Sequence, residues 1–399
     1  GPGFGGRVTG EVGSDGFRRY ALSAGDGQAG SNWIVNLAHF RTDGYRAHSA
    51  AARSTANAKW RLDLSPRTRL TLVANAIETP EVQDPLGLTA AQWASDPSQA
   101  GSNAIAYNTR KQLRQQQAGA TLESALNDQW RMTLSAYAGQ RHSTQYQAIL
   151  KSVQALATHP GGVIDLDRRY RGAEWRVQTR QSLAGAPLTL TLGVVAEGLD
   201  EERRGYLNFV GTTLGVEGAL RRNESNRVAN LDEYLQAQWF VSPRWQLSAG
   251  VRHTGLSIRS VAHLSADALT TLRYGATNPV GAVLFHLRDD LTAYASYGRG
   301  FETPTLNDLA YRSTSGAVTG LNTALKPARS DNREVGLKYA HADWRATLAA
   351  FDIHNENELA VQANSGGRSV YENIGPTRRR GAELALTLPV ARHLSATLA

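Results

Sequence analysis

Residues 245–252 read "WQLSAGVR". In an extended chain Trp245, Leu247, Ala249 and Val251 fall on one side, and Gln246, Ser248, Gly250 and Arg252 on the other. A period of two with one apolar face predicts a half-covered β-strand rather than a helix. The pattern recurs in "WRMTLSAYAGQR", residues 130–141. There Trp130, Met132, Leu134, Ala136 and Ala138 alternate with Arg131, Thr133, Ser135, Tyr137 and Gly139. Leu188, Leu190, Leu192 and Val194 alternate with Thr189, Thr191 and Gly193, and Leu235, Ala237 and Trp239 with Gln236 and Gln238. Runs of this kind predict about 17 strands, with bounds uncertain by a few residues.

The connections alternate as well. Tight turns are expected at 65–67, 127–128, 185–187, 242–244, 288–290 and 341–343, where Ser-Pro, Asn-Asp, Gly-Ala-Pro and Asp pairs interrupt the pattern. Between them lie polar stretches at roughly 80–107, 143–166, 201–227, 258–275 and 298–330, all longer than an ordinary connection. Short then long, repeated, predicts an up-and-down meander whose two ends differ. Within the first long stretch "LTAAQWASDP", residues 88–97, predicts a short helix.

The tryptophans point to the solvent. Trp60, Trp130, Trp239, Trp245 and Trp344 lie within about five residues of a short turn, as an aromatic girdle at a membrane–water interface requires. Trp33 follows the modest turn "GDGQAGSN", and only Trp93 and Trp175 lie elsewhere. A soluble sheet of this size needs a second layer over its apolar face. No helical segment long enough to supply one is present, so lipid is the expected cover and the Arg-, Gln-, Thr- and Glu-bearing face is expected to line a lumen. No apolar stretch reaches the roughly 18 residues of a transmembrane helix. The expected fold class is therefore all-β, a transmembrane antiparallel up-and-down β-barrel.

The formal charge is +8, from 43 Lys and Arg against 35 Asp and Glu, but the cations are scattered and "TRRRG" at 377–381 is the densest run. That distribution fits a polar lumen or solvated face better than a nucleic-acid surface. The chain has no Cys, which excludes disulfides and thiolate metal sites and fits an exported protein, and its one Met is Met132. No catalytic constellation is legible: there is no Gly-x-Ser-x-Gly elbow and no phosphate loop. His354 in "DIHNENE" has acidic neighbours but no second ligand at a suitable spacing. Neither an enzyme, a cofactor nor a metal site is expected.

Three stretches carry a resemblance: "YGRGFETPTLNDL" (297–309), "NTALKPARSDNREVGLKY" (322–339) and "YENIGPTRRRGAEL" (371–384). "VGSDG" at 12–16 stands where a first barrel hairpin would start. Together and in this order they resemble the β-barrel part of TonB-dependent outer-membrane receptors, the ferric-siderophore receptor family, with Ala328 standing where an acidic residue is usual. The resemblance implies a barrel of about 22 strands around a plugged lumen. On that reading residues 1–7 are the plug–barrel junction and 8–399 a barrel domain incomplete at its C-terminal end, with the plug and last strands outside this chain. Its first and last strands are then expected not to close on each other.

The implied function is capture of a ferric siderophore at extracellular loops and import driven by the TonB–ExbB–ExbD complex through the plug. The implied location is the bacterial outer membrane, with outer-membrane lipid and lipopolysaccharide as further partners and no nucleic acid. A passive porin of about 16 to 18 strands is the alternative; receptors for haem, cobalamin or another metal chelate come next. A haem receptor is disfavoured because residues 300–330 contain no His. Arg203, Arg204, Tyr206, Arg299, Tyr311 and Arg312 lie in loops or at loop bases, where an anionic aromatic chelate would meet them. Lipopolysaccharide phosphate or plain solvation is the bland reading of the same residues. Glu334 and Glu383 fall on the polar face, where pairing with arginines is expected.

Overall fold

The computed structural model describes residues 3–265, 268–314, 317–318, 321–365 and 368–399. Its main element is one antiparallel sheet of seventeen strands. They run Gly5–Val12, Arg18–Gln28, Ser31–Thr42, Ala51–Ser65, Thr68–Gln83, Arg110–Ala125, Trp130–Tyr146, Val163–Leu183 and Ala186–Tyr206 in the first half. Leu220–Trp239, Trp245–Ala262, Ala268–Arg288, Leu291–Glu302, Ala328–His341, Trp344–Glu356, Thr377–Ala391 and Leu394–Leu398 complete it. Each strand pairs with its predecessor and successor, so the topology is the expected up-and-down meander. Among the described residues no hydrogen bond joins Gly5–Val12 to Leu394–Leu398, and the sheet keeps two edges. The first strand takes in Gly5, Gly6 and Arg7, inside the stretch read as a junction.

Side-chain alternation divides the sheet into two faces. In the strand Ala186–Tyr206 the even positions run Leu188, Leu190, Leu192, Val194 and Ala196, then change to Asp200, Glu202 and Arg204. A strand needs only about 9–11 residues to cross a bilayer, whereas this one has 21. Its outer half therefore stands in water, where Asp200 pairs with Arg227 at 2.7 Å and Arg171 at 3.2 Å. In the inner half large apolar side chains are exposed in register across strands, among them Leu192, Leu235 and Val251. A soluble protein does not leave such a band open. It is the lipid-facing belt of a barrel.

The short turns and six of the eight tryptophans share one end, Trp93 lying in an outer connection and Trp175 in mid-strand. Trp33 pairs across strands with Trp60, whose indole N–H donates to Ser31 Oγ at 3.0 Å. Trp245 lies against Phe285 with ring centroids 4.4 Å apart, and Trp239 donates to the Leu183 carbonyl at 3.3 Å. Trp130 and Trp344 are exposed beside turns of the same end. An amphipathic ring with one polar handle suits this interface. On the lumen face tyrosines lie flat over glycines of the next strand. A Cβ on Gly172 would stand 2.5 Å from the Tyr137 ring, and one on Gly193 2.2 Å from that of Tyr234.

Several long stretches proved shorter than the sequence suggests. The 258–275 stretch is mostly strand, because Trp245–Ala262 and Ala268–Arg288 run on to a connection at 263–267. The 201–227 stretch shrinks likewise to 207–219. Beyond the membrane the outer face of a strand turns polar and apolar side chains such as Leu256, Ile258 and Leu272 fall on the lumen face instead, so the lipid-facing alternation ends while the hydrogen-bond ladder continues. The long outer connections that remain are 84–109, 147–162, 303–327 and 357–376. The first carries the expected helix, Ala90–Ser95, whose Thr89 and Gln92 form a reciprocal capping box.

Candidate ligand site in the lumen

The connection after Leu291–Glu302 turns inward instead of outward. Leu306, Leu309 and Leu325 pack on Ile258, with Leu199, Val228, Leu256, Leu272 and Tyr274 around them. Tyr274 Oη donates to the Leu325 carbonyl at 3.1 Å. These partners belong to the lumen face of four adjacent strands, so that face is not polar throughout. It carries an apolar patch near its outer end, and burying that patch holds the loop down.

Folding in brings Tyr311 against Val370 of the next outer connection, where Leu359–Ser365 and Arg368–Asn373 form a hairpin. Asn322 Nδ2 donates to the Tyr371 carbonyl at 2.8 Å, which ties loop to hairpin. Three guanidinium groups then surround one phenol. Arg203, Arg222 and Arg368 lie 5.6, 5.2 and 5.5 Å from the Tyr311 ring centroid. Arg203 Nη2 donates to Tyr311 Oη at 3.2 Å. Arg368 bonds the Gln147 side chain and donates to the Gly161 carbonyl at 2.8 Å, so it also fastens the hairpin to the 147–162 loop.

All three arginines are buried, at 4, 8 and 5 % exposure. Burying charge is costly unless partners compensate it. Arg222 has Glu224 at 2.7 Å, and nearby Arg168 has the buried Glu201 at 2.5 Å. Arg222 Nη2, in contrast, has no hydrogen-bond partner among the described residues. An orphaned buried donor in a positive field marks a place for an anion. Tyr311, Arg203 and Arg368, but not Arg222, also line a cavity of about 390 Å³ together with Lys111, Arg141, Arg168 and Tyr371 and without a carboxylate. Arg168 also lines a deeper cavity of about 750 Å³, where Tyr137, Tyr170, Glu197, Asp232 and Arg252 mix both signs. Two shallow grooves of about 660 and 640 Å³ include Leu22, Leu37, Ala56, Ala76 and Ala118 of the lipid-facing side and take no part in the site.

Burial alone would raise the Tyr311 phenol, but Arg368, Arg203 and Arg222 outweigh it and bring it below its ordinary value. The stabilisation from this ionisation is complete above the unfolded value of about 10. It is lost as pH falls through the lower folded value. In the intact folded protein, titration by ultraviolet absorbance is expected to show one tyrosine ionising ahead of the rest, and Tyr311→Phe to remove that step. An unchanged titration curve in the variant would contradict the assignment.

Of the six residues proposed from sequence, the structure joins only Arg203 and Tyr311. Arg204 sits on the opposite face and meets Asp165 at 3.8 Å. Tyr206 shares its parity, on the face of Arg204. Arg299 pairs with Asp331 at 3.3 Å on the outer surface. Arg312 follows Tyr311 as an exposed residue. Arg222 and Arg368 were missed. The first alternates in phase with Glu224 and Asn226 and was legible as lumen-facing; the second depends on how the hairpin folds. His354 also lies on the outer face, opposite Asp331 and Arg378 in register. Among the described residues no group of three His, Asp or Glu side chains is placed to hold a metal ion.

A model of the TonB dependent receptor-like, beta-barrel family matches residues 51–398. The chain belongs to this family. Its members are integral outer-membrane barrels that act as receptors and transporters, not enzymes, and the apolar belt and tryptophan girdle set this chain in the same membrane. The catecholate siderophore receptor Fiu of Escherichia coli (strain K12) is 26% identical over 103 residues, which are 26% of this chain and 13% of the relative. Among solved structures the unliganded ferric citrate transporter FecA aligns with a TM-score of 0.74 at 16% identity, covering 96% of this chain and 55% of that one. The copper transporter OprC gives 0.76 at 16% identity, covering 99% and 60%. The Fiu structure from K12 E. coli gives 0.71 at 15% identity, covering 97% and 62%. The chain thus spans little more than half the length of these solved neighbours.

Proposed function

We propose that the intact protein captures a ferric siderophore at its extracellular loops and lumen mouth and imports it with energy from the TonB–ExbB–ExbD complex acting on a plug. The observation that carries this is the 390 Å³ cavity, with five cationic side chains, two tyrosines and no carboxylate. Ferric complexes of catecholate or hydroxycarboxylate chelators are planar-ringed or carboxylate-bearing anions, and arginine forks suit their oxygens. The neighbours named above carry ferric citrate, catecholate siderophores and copper, so the barrel alone does not select the cargo; the lining chemistry does. An electropositive mouth also speeds capture of an anion, with an effect that weakens as salt screens it.

We also propose that further strands complete the sheet to about 22 around the plug. Two edges facing lipid would leave backbone groups unsatisfied, at several kcal/mol for each. The test is uptake of radiolabelled ferric chelates by cells carrying the full-length gene, with and without a proton uncoupler. Uptake is expected to stop with the uncoupler while surface binding persists. Uptake that continues at the same rate would replace this reading with a passive pore.

A further inference from the structure

On the outer surface, four neighbouring strands change from apolar to cationic within one step of the pleat. Register lines up Ala293, Leu337, Leu348 and Leu384, and next to them Ala295, Val335, Ala350 and Ala382. Val335, Leu337, Leu348 and Leu384 are exposed at 56, 40, 48 and 51 %. The next row outward is Tyr297, Arg333, Asp352 and Arg380, and the one after it Arg299, Asp331, His354 and Arg378. Successive rows on one face are about 7 Å apart along a strand. The hydrocarbon boundary therefore falls immediately below four guanidinium groups.

Two carboxylates organise these arginines without neutralising them. Asp352 accepts from Arg378 Nε at 2.8 Å and Nη2 at 2.6 Å, and from Arg380 Nε at 3.3 Å. Asp331 accepts from Tyr297 Oη at 2.6 Å and Arg299 Nε at 3.3 Å. The Arg299, Arg378 and Arg380 side chains remain 45, 51 and 61 % exposed. The excess is local. On the wall of Val163–Leu183, Ala186–Tyr206 and Leu220–Trp239, Arg169, Arg171, Arg204 and Arg227 are balanced by Asp165, Asp167, Asp200 and Glu202 on the same outer face.

We propose that Arg299, Arg333, Arg378 and Arg380 form a binding site for the phosphate-bearing headgroup of a glycolipid in the outer leaflet. The site lies at the level of the headgroup phosphates. Its acyl chains would continue over Val335, Leu337, Leu348 and Leu384, and prepositioned guanidinium groups suit phosphate oxygens. The inference rests on the outer-membrane placement of the barrel and is independent of the chelate site, which is on the other face.

The test uses the full-length protein in detergent, titrated with a hexa-acylated, bisphosphorylated glucosamine disaccharide lipid and followed by native mass spectrometry. The R378Q/R380Q double variant is expected to weaken binding by about tenfold or more, as loss of charge-assisted hydrogen bonds implies, and R378K/R380K to weaken it less. The dephosphorylated lipid should bind no better to wild type than to the double variant. Equal affinity of wild type and variant, or equal binding of lipid with and without phosphate, would overturn the proposal. So would displacement by millimolar inorganic phosphate alone, which would make the patch a simple anion site. Resistance of the folded band to detergent on a cold gel verifies assembly, and R299Q/R333Q serves if R378Q/R380Q does not fold. Ferric-chelate binding, measured on the same samples, is expected to be unaffected by either variant; its absence from wild type would sink the siderophore reading alone.

Discussion

Val251→Arg in the full-length protein is expected to reduce the yield of folded barrel steeply, whereas Ser248→Arg is expected to leave it near wild type. Val251 is exposed on the lipid-facing side, in register with Leu235 on one side and Pro279 on the other. It stands three outward positions from Trp245, which puts it near the middle of an apolar band about 25 Å tall. Arginine at that depth costs about 2–4 kcal/mol, or roughly 30- to 1000-fold in the folding equilibrium. Leu247 is nearer the girdle, so Leu247→Arg is expected to cost less than Val251→Arg and more than Ser248→Arg. Ser248 shares the lumen-side parity of Arg252, which already reaches Asp232 there. Refolding yields into lipid vesicles, read from gel mobility with and without heating, give the order directly. Equal yields for Val251→Arg and Ser248→Arg would reverse the assignment of faces.

Arg203→Gln is expected to move binding and stability in opposite directions. The side chain lines the cationic cavity, is 4 % exposed, and meets Tyr311 Oη at 3.2 Å. Losing a charged donor to an anionic ligand typically costs about 1.5–3 kcal/mol, so chelate affinity should fall about 10- to 100-fold and its salt dependence should flatten. The glutamine no longer buries a cation beside two others, so the thermal midpoint should stay level or rise. Arg368→Gln differs because Arg368 also holds Gln147 and the Gly161 carbonyl. It should lose affinity and loosen the hairpin together, seen as faster amide exchange at 368–373. Calorimetric titration of the two folded variants separates the cases. Unchanged affinity in Arg203→Gln would remove the cavity as the chelate site.

Much of the barrel was legible because strand periodicity is a local property. The alternation of Trp245, Leu247, Ala249 and Val251 with Gln246, Ser248, Gly250 and Arg252 carries over into two physical faces, and the tryptophans beside short turns locate one membrane boundary. The same parity separates Arg203 from Arg204 and Tyr206. Grouping those residues by proximity, without regard to face, joins Arg203 to two residues on the other side of the wall.

The sequence by itself determined the meander, its lipid-facing belt and the polar character of most of its lumen face, since period two and side-chain chemistry need only neighbours. The tertiary structure alone decided where the strands stop and which cations meet. Outside the bilayer the outer face turns polar and the apolar positions pass to the lumen face, as at Ile258, Leu272 and Tyr274, so the lipid-facing code ends within 258–275 although the ladder continues to Ala262 and resumes at Ala268. The stretch after Phe301 has no periodicity to read. Its path is fixed by Leu306, Leu309 and Leu325 finding an apolar patch built from four strands. That inward fold, with a hairpin bringing Arg368 to the same phenol as Arg203 and Arg222, joins residues from three separate parts of the chain. Contacts of that kind are set by the curvature of the sheet and the cost of leaving the patch wet, and no local pattern encodes either.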